Sequence, residues 1–272
     1  MYRLLLVTDQ QNVRDTFTGI QSWEGLGFKT PRTVASCAEA VSTLEKHHAD
    51  VIALALSDPE RQKMMTALEE WPDLPIMEAT DRENTLIRNI HEAEQVLIRL
   101  NSDYSNDRYD LHEQMMLARH EYFRKILFDE NRESESIRRH LMLVRSHMDP
   151  SRECVLMSMH IDGVTDYLEE RWHYGIDRLE VAIRNIFGAE KHGMRMLLSM
   201  TQGDGAYLVG CPMLGTGEMD EKTMVQITQE HASDGISHVS EFIGLTIHQE
   251  NTMVLHNLTE LSSAARKLRV TA

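Results

Sequence analysis

The chain is poor in the residues from which a small chemical centre is most easily built. Its three cysteines, Cys37, Cys154 and Cys211, are widely spaced among 272 residues and form no CxxC pair. That excludes a disulfide framework or a cysteine-rich zinc site and fits reduced thiols in a reducing compartment. No apolar run approaches the roughly 20 residues that cross a bilayer. The amino-terminus is a strand pattern with Arg3 inside it, not a basic segment followed by a long apolar stretch, so a cytoplasmic protein with no membrane association is expected. There is no P-loop, no GxGxxG and no HExxH, and Ser199, Ser262 and Ser263 lack nucleophile-elbow surroundings. The 14 histidines share no ligand spacing. Neither a metal nor a cofactor is expected.

Basic charge is also scarce. The net charge is −15, with 10 basic and 17 acidic residues in 1–103, 8 of each in 104–148, and 10 and 18 in 149–272. Phosphate backbones select Lys- and Arg-rich faces because binding releases condensed counterions. Neither globular half offers such a face, so this segment should not bind DNA tightly by itself.

Hydrophobic residues make up 42% and charged residues 26%, which excludes wholesale disorder and leaves room for two domains with separate cores. Arg3–Val7 reads as a strand and Val13–Trp23 as an amphipathic helix ended by Gly25 and Gly27. Thr33–Ala35, Asp50–Leu56, Pro75–Glu78 and Gln95–Leu100 read as further strands, with helices at Cys37–His47, Glu60–Glu70 and Asn84–Glu92 between them. Asp50–Leu56 is continuously apolar, as a strand buried on both faces must be. This alternation predicts a doubly wound parallel sheet over 1–103, with its functional crevice at the carboxyl ends of the strands.

The polar stretch Asp103–Asp110 opens a helical linker, 104–148. Leu111, Met115, Ala118, Tyr122 and Ile126 form one apolar stripe there. It is either a core-facing helix or the seam of a homodimer. A second linker helix runs from Ser134 to His147. In 149–272, Val155–Ile161 reads as a strand and Val164–Phe187 as helix broken near Gly175. Met194–Met200 and Ala206–Cys211 flank a hairpin turn through Asp204–Gly205. Thr216–Ala232 is a predicted helix, Ser240–His248 a strand and Leu258–Leu268 a closing helix, giving an α+β sandwich. The 17 methionines suit adaptable packing better than a cofactor box.

Two segments carry family resemblances. MYRLLLVTD, IQSWEGLGFKT and DVIALALSDP resemble the receiver domain of two-component response regulators, a flavodoxin-like fold. The resemblance implies a cation held by acids after the first strand, a phosphoacceptor aspartate after the third, a switch hydroxyl and a charge-neutralising lysine. Here only Asp9 survives of the acidic cluster, the acceptor is Ala55, Thr80 matches the hydroxyl and Arg99 falls at the lysine position. Asp58, just before Pro59, reads as a solvated loop acid.

VLMSMHIDG, HYGIDRLEVAIRNIF and QGDGAYLV resemble, more weakly, a diguanylate-cyclase (GGDEF) domain. Gln202, Gly203, Asp204, Gly205 and Ala206 occupy the signature hairpin, with Gly205 where an acid belongs, and His160 replaces a strand aspartate while Asp162 remains. Two-metal phosphoryl chemistry needs both carboxylates. The succession of both domains is similar to AraC-type response regulators, which continue into a helix-turn-helix pair. Either this chain stops before that pair, the expectation here, or it is a natural short relative. The implied function is a non-catalytic signalling portion of a transcriptional regulator. It would act as a homodimer, with a sensor kinase or another protein as partner and DNA reached only through a domain absent from the chain. The alternative is a module that holds a nucleotide or metabolite in the cyclase-like domain. A true cyclase is disfavoured by His160 and Gly205.

Overall fold

Leu4–Thr8 (β1) and Val51–Ala55 (β3) have every side chain buried, the property of central strands covered on both faces. The computed structural model describes residues 1–102, 111–128, 133–201 and 203–270. By contacts these residues divide into two compact units, 1–119 with 139–146, and 120–138 with 147–272.

In the first unit, β1 is followed by α1 (Gln11–Gly19), β2 (Arg32–Val34), α2 (Cys37–Lys46), β3, α3 (Asp58–Ala67), β4 (Ile76–Glu78) and α4 (Glu83–Ser102). The strands are all parallel, in the order β2-β1-β3-β4, an arrangement consistent with a flavodoxin-like domain. Because side chains alternate along a strand, the sheet has two cores. Leu4, Leu6 and Ala53 pack with Val13 and Phe17 of α1 and Leu86 and Ile90 of α4. Leu5, Val7 and Ile52 pack with Ala40 of α2 and Met64 of α3.

The fifth strand expected at Gln95–Leu100 is not formed, because that stretch is the second half of α4. Leu86, Ile90, Ala93, Leu97 and Leu100 are all buried, and their spacings of four, three, four and three are helical. Read in a short window, the same apolar residues mimic a strand.

Two more helices follow, α5 (Leu111–Phe128) and α6 (Ser134–Leu143). Each contributes residues to both units: α5 gives Leu111–Arg119 to the first and His120–Phe128 to the second. The expected linker segment Asp103–Asp110 lies outside the described residues. Met115, Ala118, Tyr122 and Ile126 are buried, and only Leu111 of the stripe is exposed. A dimer seam would need those four residues at the surface, so the core-facing alternative describes the stripe. Burial also extends to Gln114, His120, Phe123 and Leu127, so α5 is covered on several sides rather than along one seam.

The helix expected to run to His147 ends at Leu143, and Arg145 and His147 adopt positive φ of 51° and 57°. Arg145 explains the reversal in the first unit. Only 2% exposed, its guanidinium donates to the carbonyls of Trp71, Leu74 and Leu68 at 3.2, 3.3 and 3.0 Å. It thus closes the carbonyl-rich end of the turn after α3.

The second unit contains β5 (Cys154–Ile161), α7 (Val164–Glu170), α8 (Ile176–Phe187), β6 (Glu190–Lys191), β7 (Met194–Met200), β8 (Gly205–Pro212), α9 (Glu221–Phe242), β9 (Ile247–Leu255) and α10 (Leu261–Val270). Its separate sheet is antiparallel, ordered β6-β7-β8-β5-β9. Met157, Met159, Met194, Met196, Met200 and Met224 join Leu179, Ile183 and Phe187 in one core. Gly235 of α9 lets Phe187 of α8 approach; a Cβ there would lie 2.6 Å from the ring.

The helix expected at Thr216–Ala232 begins and ends later, because Asp220 caps it by accepting from Thr223 N–H at 2.7 Å. Its buried positions continue through Gly235 and Val239. The strand expected at Ser240–His248 is therefore displaced to β9, whose exposed run His248–Thr252 carries no apolar alternation to betray it.

Replacing Arg145 by Met is expected to destabilise the first unit by about 2–4 kcal/mol, since three charge-assisted hydrogen bonds vanish from a buried site. Urea unfolding of the variant against wild type measures it, and a loss below about 0.5 kcal/mol, the level of a neutral surface substitution, would contradict the closing role.

Candidate functional site

The carboxyl edge of the parallel sheet collects the first set of expected residues. Thr8 ends β1, is fully buried, and donates its hydroxyl to Ala55 O at 2.8 Å while accepting from Gln10 N–H at 3.1 Å. Ala55, 7% exposed, belongs to the core. Asp9 turns outward, and its Oδ2 accepts from the Ser57 hydroxyl at 2.6 Å and from Ser57 N–H at 3.1 Å. These bonds, the hydroxyl's first, hold the Asp9 carboxyl below the usual carboxylate range. Ser57 begins α3 yet makes no side-chain cap to it, because its hydroxyl is given to Asp9.

Thr80 follows β4, and its hydroxyl accepts from Arg82 N–H at 3.3 Å. Its neighbour Asp81 accepts from the Asn12 amide at 2.7 Å and, through its carbonyl, from the Thr16 hydroxyl at 3.2 Å. Asp9, Ala55 and Thr80 therefore gather at one edge. Arg99 does not: it is exposed on α4, sixteen residues past the helix start, or about 24 Å along the axis at 1.5 Å per residue. The expected strand that would have delivered it to the edge is helix. What remains is a hydrogen-bond network that engages both Asp9 and Asp81, with no nucleophile at position 55. These residues do not fit a magnesium–phosphoryl centre.

The hairpin residues lie on the second unit. β7 and β8 pair antiparallel, and β8 places Gly205 directly across from His160 on β5. The two positions at which the resemblance requires carboxylates are thus neighbours, and neither carries one. Thr201 closes the turn: its N–H and hydroxyl donate to Gly205 O at 2.8 and 3.1 Å. A Cβ at residue 205 would stand 2.8 Å from the Thr201 hydroxyl oxygen, so a side chain there would require Thr201 to shift. Gly203 has φ 111°. Asp204 is exposed, and its carbonyl accepts from Ile161 N–H at 2.6 Å, which makes it a turn residue. Ala206 is buried in β8, and Gln202 lies outside the described residues.

Asp162 sits between two histidines, His248 at 2.9 Å and His160 at 3.4 Å. Among the described residues no group of three His, Cys, Asp or Glu could hold a metal ion. An open groove of about 760 Å³ runs beside the hairpin, lined by Arg124, His160, Thr201, Asp204, Tyr207 and Glu250 among others.

Next to this groove, whose lining includes Arg124 and Met200, lies a buried polar cluster. Glu180, on α8, is 4% exposed. Its Oε1 accepts from the Ser199 hydroxyl at 3.0 Å and Met200 N–H at 2.9 Å, and its Oε2 from Arg124 at 2.8 Å. His120 Nε2 lies 3.1 Å from Oε1, close enough to interact but off the line of a strong hydrogen bond. Burial pushes the Glu180 pKa up, yet His120, the Met200 N–H and Arg124 outweigh it and leave it below the ordinary glutamate value. Burial dominates at His120 and pushes its pKa down, despite Glu180. The cluster ties the second half of α5 to α8 and to the end of β7.

Sequence reasoning passed over Ser57, Asp81 and this cluster. Glu180 had a signal: it sits between Leu179 and Ile183 on the buried stripe of α8, where an acid needs partners. His120 and Arg124 had none, since their meeting with Glu180 is long-range. No family model and no curated protein matches the chain.

Glu180→Gln is expected to cost about 1–3 kcal/mol at pH 7, because a charge-assisted acceptor is lost. A depressed folded pKa contributes stability above the unfolded value near 4.3, lost as pH falls through the folded value. The difference between wild type and variant should therefore shrink progressively as pH falls below the unfolded value near 4.3 in urea unfolding. A deficit independent of pH would show that the carboxylate charge is not what the cluster needs.

Proposed function

We propose that the chain is the non-catalytic signalling portion of a transcriptional regulator of the AraC-type response-regulator kind, with a pseudo-receiver followed by a degenerate GGDEF-like domain. The observation that carries this reading is α5. It contributes residues to both units, and its second half holds the Glu180 cluster at the end of β7, next to the hairpin turn. A change of state in the first unit has a continuous element through which to reach the second. At both sites the carboxylates that chemistry would need are replaced by Ala55, Gly205 and His160, which supports signalling by contact rather than by turnover. A homodimer, a kinase or other protein partner, and DNA bound through a domain outside this chain complete the proposal.

Two measurements test it. Acetyl phosphate with magnesium should leave the intact mass of the chain unchanged. Met115→Ala, which loosens α5 inside the first unit, should raise amide exchange at residues 194–212 of the second. A stable phosphoryl adduct, or unchanged exchange there, would overturn the relay.

The groove beside the hairpin favours a second reading, a module that holds a nucleotide or small metabolite. Its size lies in the range of ligand sites. Calorimetry with GTP and cyclic dinucleotides distinguishes the two: micromolar binding abolished by Arg124→Ala supports the second reading, and no heat supports the first.

A further inference from the structure

In a chain of net charge −15, cations without acidic partners are conspicuous, and three of them share one groove. At the amino-terminal edge of the parallel sheet, opposite the Asp9 edge, Arg3, Lys29 and Arg32 line a groove of about 390 Å³ together with Thr43, His47 and His48. Several other cations of the first unit are matched, Arg61 with Glu78, Lys63 with Glu60 and Arg139 with Glu92, and those that are not, such as Arg82 and Arg88, line no shared groove with these three. Among the described residues no carboxylate lies within ion-pair distance of the side chains of Arg3, Lys29 or Arg32.

The fold causes the convergence. β1 lies between β2 and β3, so Arg3, just before β1, is flanked by both neighbouring chain segments. Lys29 N–H donates to Tyr2 O and Asp50 N–H to Arg3 O, each at 2.8 Å. Arg32 is the register partner of Leu5. Arg3 and Leu5 are two residues apart, so both arginines stand on the Leu5 face of the sheet. That face is covered by α2, whose carboxyl end supplies Thr43 and His47.

Two negative contributions oppose a positive groove. The end of α2 counts for about half a charge, against three fixed cations. Asp50, which accepts from Arg3 N–H at 2.6 Å and faces His48 Nε2 at 2.8 Å, adds one full negative charge, so about one and a half charges stand against three. The cations win.

We propose that this groove binds a small, multiply charged phosphate ligand. Two guanidinium forks and an ammonium match phosphate oxygens in geometry and charge. No Phe, Tyr or Trp is among the groove's described lining residues, so recognition rests chiefly on the phosphates. The inference stands independently of the regulatory reading above.

Isothermal titration of the whole chain with inorganic pyrophosphate at low ionic strength tests it, with the amide shifts of residues 3–5, 29–32 and 47–49 followed by NMR. Saturable binding that shifts those amides, weakens with salt and falls at least tenfold in the Arg3→Ala/Arg32→Ala variant is expected. The charge-matched control Arg88→Ala/Lys222→Ala, made at exposed positions outside the groove, should keep the affinity of wild type. Circular dichroism and melting curves show whether each variant is folded; if the double variant is not, Lys29→Ala with the same amide readout replaces it. No binding at millimolar pyrophosphate, or an equal loss in the control, would overturn the site. Preference for a poly-glutamate peptide over pyrophosphate would also overturn it, in favour of a protein-docking surface.

Discussion

A carboxylate buried among methionines and leucines is stable only when its oxygens are filled, and Glu180 imposes that requirement on the second unit. One oxygen takes the Ser199 hydroxyl and Met200 N–H, the other takes Arg124. Removing a charge from water costs several kcal/mol, which only well-placed donors recover. α8, the end of β7 and the second half of α5 are therefore held in one arrangement. The hairpin turn, the groove beside it and the face presented by Arg124 all follow from that arrangement. A core of methionines alone would pack adaptably and specify position less sharply.

The first unit is organised by a different constraint, the doubly covered parallel sheet. With both faces occupied by helices, its polar business is pushed to the two edges. At the carboxyl edge, hydroxyls and amides pair with Asp9 and Asp81 until little is left to react. At the amino edge, Arg3, Lys29 and Arg32 share a groove, and no carboxylate among the described residues pairs with their side chains. One edge is closed by hydrogen bonding, while the other keeps an unspent charge. The same separation explains why Arg99, carried to the far end of α4, takes no part in the edge around Asp9.

Much of this was legible in the residues, and the failures share a cause. β1, β3, β5 and β7 read correctly because their apolar runs are short and bounded. The break at Gly175 between α7 and α8 read correctly because a glycine punctuates the apolar period. Gln95–Leu100 was misread because a helical stripe viewed over six residues resembles a strand. β9 was missed because its exposed polar run carries no period at all. The stripe on α5 was visible as a stripe, but its residues alone do not say whether another part of the same chain covers them.

By itself the sequence determined the local elements, the two kinds of sheet, and the absence of carboxylates at positions 55 and 205, all properties of residue type and short-range period. Only the tertiary structure decided who meets whom. Asp9 finds Ser57 across 48 residues, Glu180 finds Arg124 across 56, and Arg3 comes to share a groove with Arg32 through strand register. Such meetings depend on strand order and on which helix face is buried, and no periodicity in the chain encodes them.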